Sequence, residues 1–244
     1  MANSLNILSD RTFAAYDDTP GNAEFKRLVA KLDVLKNGKN QQTILITSAI
    51  IGEGKSTVAS YVAQSAAYYR KQSALLIDFD IRRPRLHEVF NVRREKGVVD
   101  ILNDGIPLVS CCKKTAIDNL FLVTAGKTDL NPNELLTSDR IKNLISEART
   151  HFEYAIVDSP PIIPVSDPLL ISRFVDNVIL VIKAGSTLRH VVKRAIDMLF
   201  DIRVEVSGFV LNNMNNVLPR YYDYKYYGYK YYEKPIIELE SSES

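Results

Sequence analysis

The stretch Ser48-Ala49-Ile50-Ile51-Gly52-Glu53-Gly54-Lys55-Ser56-Thr57 links an apolar run, residues 43–48, to an amphipathic one, residues 55–70. It matches the phosphate-binding pattern G-x-x-x-x-G-K-[ST], with Ala49 in place of the first glycine. A strand before the loop and a helix after it are the context this pattern needs. Gly52 and Gly54 allow the tight bend that turns backbone N–H groups inward, and the helix that follows adds its positive N-terminal end. Lys55 is placed to reach the β- and γ-phosphates, and Ser56 to hold Mg²⁺. Gly52, Glu53, Gly54, Lys55, Ser56 and Thr57 are therefore candidate nucleotide contacts, with ATP and Mg²⁺ as the expected cofactors.

Outward from this loop, short apolar runs alternate with amphipathic ones. Strands are expected at 43–48, 74–79, 120–124, 154–158, 177–183 and 206–211, and helices at 55–70, 138–150, 166–174 and 188–200. The strands are near-continuously apolar, as in a parallel sheet covered on both faces. The alternation predicts an α/β domain with a doubly wound, mainly parallel sheet. Upstream, Phe25, Leu28, Val29, Leu32 and Leu35 share one helical face, ending at Asn37-Gly38. Thr19-Pro20-Gly21 reads as a turn. The expected division is an arm over 1–21, a nucleotide-binding domain over 22–218 and a tyrosine-rich tail over 219–244.

Two further strand ends carry acids. Asp78 and Asp80, in Ile77-Asp78-Phe79-Asp80-Ile81-Arg82-Arg83-Pro84, are expected on one strand face by the period of two. Asp158 closes Tyr154-Ala155-Ile156-Val157, where open α/β sheets place ligands. Mg²⁺ takes few protein ligands, so Ser56, Asp80 and Asp158 suffice for it. Asp78, close to this set but distinct from it, is the candidate base for a hydroxyl nucleophile. Lys55, Asp78, Asp80 and Asp158 form the expected catalytic group.

The chain has 244 residues, 46% hydrophobic and 25% charged, the balance of an ordinary globular domain. A formal net charge of +2 does not favour nucleic acid as a partner. Cys111 and Cys112 are adjacent, unsuited to a disulfide, and read as inert. No run approaches the ~18 apolar residues of a membrane span, so membrane association is expected through a partner. Eight of the 13 tyrosines, Tyr221, Tyr222, Tyr224, Tyr226, Tyr227, Tyr229, Tyr231 and Tyr232, crowd into twelve residues without an aliphatic side chain. Such a segment reads as a sticky low-complexity tail, a base-stacking surface or a run of phosphoacceptors. Each phosphate would add about −1.5 to −2 charges, making the last reading a large electrostatic switch.

Together these motifs resemble the bacterial tyrosine kinases of capsule and exopolysaccharide synthesis. The loop is similar to that family's deviant Walker A motif, in which alanine commonly replaces the first glycine. Asp78-Phe79-Asp80-Ile81-Arg82 with Pro84 and His87 resembles its Walker A′ motif, and Asp158-Ser159-Pro160-Pro161 with Asp167 its Walker B region. Asn131–Leu136 and Gly208–Asn212 also look like family segments. The resemblance implies an ATP-dependent kinase that phosphorylates the tail of a neighbouring copy in a ring and thereby regulates polymer assembly and export. It implies a membrane-spanning adaptor as activator, a cognate phosphatase, and a cytoplasmic chain recruited to the inner membrane face. It makes Asn212 a candidate adenine contact. Glu24 and Arg27 fit the start of the family's E-x-x-R-x-x-R ring-contact pattern, but Ala30 stands at its third position. Arg82 and Arg83 read as phosphate contacts or as surface ion pairs, and His87 as a phosphate, interchain or packing residue. Two other readings keep the fold: a ParA/MinD-like dimeric ATPase switch, and a non-catalytic ATP-bound scaffold. Against the first, Ala49-Ile50-Ile51 lacks the early lysine usual in those switches.

Overall fold

The computed structural model describes residues 20–36, 38, 41–128 and 131–213. The expected arm up to residue 19 and the tyrosine tail, Tyr221 to Tyr232 included, lie outside the described residues. Chain order is α1 (Pro20–Leu35), β1 (Gln42–Ser48), α2 (Lys55–Arg70), β2 (Ala74–Asp78), α3 (Leu86–Val89), α4 (Val98–Asp104), α5 (Leu108–Cys111), β3 (Lys113–Lys114), β4 (Leu120–Val123), α6 (Pro132–Leu135), α7 (Ser138–His151), β5 (Tyr154–Asp158), α8 (Asp167–Ser172), β6 (Asn177–Lys183), α9 (Arg189–Asp201) and β7 (Gly208–Asn212).

The strands form one sheet in the order β3-β4-β2-β5-β1-β6-β7. All neighbours are parallel except β3 and β4. Because side chains alternate across a strand, the sheet feeds two cores. Ile44, Ile46, Leu76, Tyr154 and Ile156 pack with α1, α2 and α3 on one face, while Leu45, Leu75, Ile77, Ala155 and Val157 pack with α4 to α9 on the other. The doubly wound α/β expectation holds.

Helix α1 begins at Pro20, so Pro20 and Gly21 lie in a helix and not in a turn. Proline suits the first helical position, where its missing N–H has no intrahelical partner anyway. The far end of α1 is tied down: Asp33 accepts from the Tyr154 hydroxyl and pairs with Arg70, and Lys36 Nζ lies 3.9 Å from the Tyr154 ring centre. The last strand starts two residues later than its apolar run. Ser207 N–H bonds to Val178 O at 2.8 Å and Val206 packs on the core from the connection. Helices of four residues and the two-residue β3 escape any periodicity reading, being shorter than the pattern that would reveal them. Among the described residues no helix is long and apolar enough to cross a membrane.

Candidate active site

The central strands β2, β5 and β1 set the site. Asp78 and Asp158 are partners across β2 and β5, and Asp158 lies beside Ile46 of β1. The phosphate loop leaves the end of β1, so loop and carboxylates meet at the carboxyl ends of these central strands. Ile162 N–H and Ile163 N–H bond to Ser48 O at 2.8 Å and Ala49 O at 3.2 Å, fixing the loop's first residues from the β5 side. Gly52 and Gly54 have φ of 86° and 91°, the left-handed region that glycine enters without penalty. A side chain at Gly54 would also overlap the Asn212 amide.

Lys55, first residue of α2, places Nζ 3.2 Å from Asp80 Oδ2. Ser56, next in the same turn, hydrogen-bonds Asp158. Burial pushes the Asp158 carboxyl up to about 7, against the opposing pull of Lys55 and Ser56 and with a smaller push from Asp80. Asp78 is held well above the usual carboxylate range, first by burial and then by the Asp158 charge. Its Oδ2 accepts N–H bonds from Arg85 at 3.2 Å and Leu86 at 3.1 Å. Asp78 Oδ1 and Asp158 Oδ1 are buried without a protein hydrogen-bond partner. Lys55, Ser56, Asp78, Asp80 and Asp158 are thus brought together. Thr57 is half-buried in the following turn position of α2.

Asp80 is not on the strand face shared with Asp78. Strand β2 ends at Asp78, and the chain turns: Arg83 N–H bonds to Asp80 O at 3.2 Å and Oδ1 at 3.0 Å. A short aspartate side chain competes well for local backbone donors, which ends the ladder here. The two acids nevertheless sit in the same site, through the Lys55–Asp80 pair and the charge of Asp80 on Asp78.

Arg82 is engaged by a protein acid. Its Nε and a terminal nitrogen meet the two Asp167 oxygens at 3.0 and 3.2 Å, and Asp167 is buried. Arg83 is exposed. His87 lies in α3 with its pKa lowered, chiefly by burial. Glu24 and Arg27 pair with one another on the exposed surface of α1. Burial raises both Cys111 and Cys112, the latter to about 12, which fits inert thiols.

Two features were not legible in the motif. The Glu53 side chain turns into the protein; it is 2% exposed, and Oε1 accepts the Thr187 hydroxyl at 2.5 Å while Oε2 accepts Ile50 N–H at 2.8 Å. Asn212 donates Nδ2 to Glu53 O at 2.8 Å, so its amide rests on the loop backbone. Thr187 belongs to no motif, and only the folded sheet reveals it.

The donor set suits Mg²⁺ with phosphate and water completing its shell. Ser56, Asp80 and Asp158 offer few, hard oxygen ligands, and Asp158 Oδ1 is a buried oxygen awaiting a partner. Among the described residues no group of three or more His, Cys, Asp or Glu makes an all-protein metal cage, which Mg²⁺ does not require.

Comparison with known proteins agrees with this geometry. The ParA family, described as NUBPL iron-transfer P-loop NTPase, matches residues 39–233. The tyrosine-protein kinase CpsD of Streptococcus agalactiae is 32% identical over 189 residues, covering 77% of this chain and 82% of that one. The tyrosine-protein kinase YwqD of Bacillus subtilis is 30% identical over 189 residues, covering 78% and 79%. Among solved structures, the kinase domain of the Escherichia coli tyrosine kinase ETK superposes with a TM-score of 0.76 at 27% identity, covering 87% of each chain. The chain belongs to the ParA-type P-loop NTPases and, within them, to the bacterial tyrosine-protein kinases.

Proposed function

We propose that this kinase transfers the γ-phosphoryl group of ATP to the tyrosine cluster Tyr221–232 of another copy, and that this regulates capsular or exopolysaccharide polymerisation and export. The observation that carries the reading is the convergence of Lys55, Ser56, Asp78, Asp80 and Asp158 on the phosphate loop. The kinase domain would span 22–218 and the acceptor tail 219–244. Gly52, Gly54 and the first turn of α2 would cradle the phosphates, with Lys55 exchanging Asp80 for phosphate oxygens. Mg²⁺, held by Ser56, Asp80 and Asp158, would neutralise phosphate charge.

In the transfer step the tyrosine oxygen forms a bond to the γ-phosphorus and the bond to the β–γ bridging oxygen breaks, leaving ADP. The phenolic proton goes to Asp78, whose raised pKa makes it a stronger base than an ordinary carboxylate. Asp78→Asn should lower transfer by about 10²–10⁴ while nucleotide affinity stays near that of the unaltered chain. An equal collapse of binding would remove the base assignment.

The remaining parts of the reading follow from kinship. A membrane-spanning adaptor would recruit and activate the chain at the inner membrane face, and a phosphatase would reset the tail. A ring would use the exposed α1 surface bearing Glu24 and Arg27. Asn212 would contribute near the base as well as to the loop. Intact mass after incubation with Mg²⁺-ATP and the adaptor's cytoplasmic segment tests the whole. A ladder of phosphate additions, lost in Lys55→Met and in a chain ending before Tyr221, is expected. ATP consumption without additions would instead favour a dimeric ATPase switch.

A further inference from the structure

A buried carboxylate inside an anion-binding loop works against phosphate unless both of its oxygens are held by other donors. Glu53 meets that condition through two neighbouring strand ends. Oε1 accepts the Thr187 hydroxyl at 2.5 Å and Lys183 N–H at 3.3 Å, Oε2 accepts Ile50 N–H at 2.8 Å, and the Glu53 carbonyl accepts from Asn212 Nδ2 at 2.8 Å. The Thr187 contact has the length of a charge-assisted O–H···O⁻ bond, the strong class. Its partners form one unit: Lys183 and Asn212 are paired across β6 and β7, Ala184 N–H bonds to Asn212 O at 2.9 Å, and Thr187 N–H to Lys183 O at 3.0 Å.

We propose that Thr187 is a positioning residue for nucleotide: through Glu53 it holds the phosphate loop in its anion-binding shape and locks that shape to the paired ends of β6 and β7. The inference rests on the loop being the ATP site. It adds a residue outside every motif and turns Glu53 from a ligand contact into a brace. Without the Thr187 hydroxyl, Oε1 keeps only the longer Lys183 bond. The carboxylate is then free to leave Ile50 and to oppose the incoming phosphates.

The test uses the full chain with Thr187→Val, which removes the hydroxyl at nearly constant volume, and Thr187→Ser, which keeps it. Glu53→Gln alone and with Thr187→Val completes a double-mutant cycle. Two quantities are read: affinity for Mg²⁺-ATP by calorimetry, and amide exchange at Ile50 in the nucleotide-free chain. Thr187→Val is expected to weaken affinity roughly tenfold and to speed Ile50 exchange, with Thr187→Ser within about twofold of the unaltered chain. In the Glu53→Gln background, Thr187→Val should add less than about twofold. Affinity and Ile50 exchange that are unchanged in Thr187→Val, or effects that multiply fully in the cycle, would overturn the proposal. An unaltered chain that fails to bind Mg²⁺-ATP would overturn the nucleotide reading itself, and Ile50 exchange alone would then decide the brace.

Discussion

Strands β5 and β7 are both five residues long, both parallel to their neighbours, and both end on a side chain that touches the phosphate loop. Every residue of β5 is buried, whereas β7 alternates half-buried and exposed positions, with Phe209 52% and Leu211 55% exposed. The cause is placement: β5 lies between β1 and β2, while among the described residues β7 is the sheet's edge with β6 alone beside it. At the end of β5, burial turns Asp158 into an acid that titrates near neutrality. At the end of β7, a neutral amide acts by geometry, holding the loop backbone. Charge chemistry is concentrated where two strands exclude water, and positioning is done at the rim, where an uncharged group costs little to expose.

The sharpest way to break this contrast is Asp158→Asn. It should lower phosphoryl transfer by roughly 10²–10³. The same change should stabilise the nucleotide- and metal-free chain at alkaline pH. The folded-state pKa of about 7 lies above the unfolded value of about 4. The folded chain therefore binds the extra proton in that window. The associated stability is fully present below pH ~4 and is lost as pH rises through ~7. Melting curves in chelator should show the unaltered chain losing stability between pH 5 and 8, with Asp158→Asn about 5 °C higher at pH 8. Coincident pH profiles would mean that Asp158 is not the dry carboxylate described above.

Much of this contrast was written in the sequence. Apolar runs such as Tyr154-Ala155-Ile156-Val157 declare burial on both faces, and an aspartate closing such a run declares the site. Lys55–Arg70 was legible as a helix because the phosphate loop before it requires one. What stayed hidden depends on distance along the chain or on local turns. The Glu53–Thr187 bond spans 134 positions and the Arg82–Asp167 pair 85, so no spacing rule connects them. Asp80 leaves the strand because its side chain captures Arg83 N–H, a choice that period-two counting does not include. The edge strand began later than its apolar run because Val206 serves the core from the connection.

A pair of truncations sharpens the comparison at smaller amplitude. Ile156 in β5 is fully buried and packs with α2 and the neighbouring strands. Ile156→Ala removes that side chain and leaves a cavity that the surrounding strands cannot close, costing about 2–5 kcal/mol in denaturant unfolding. Phe209→Ser in β7 is the counterpart. An aromatic ring that is half exposed in the folded chain gains about half of what full burial gives, so its loss should cost about 1 kcal/mol. The measurement belongs on the full chain, with the same denaturant slope required of both variants so that the two values share a reference. A cost of several kcal/mol at Phe209 would mean that the outer face of β7 is covered in solution. The edge strand would then be as dry as β5, and the neutral amide at its end would need a reason other than exposure.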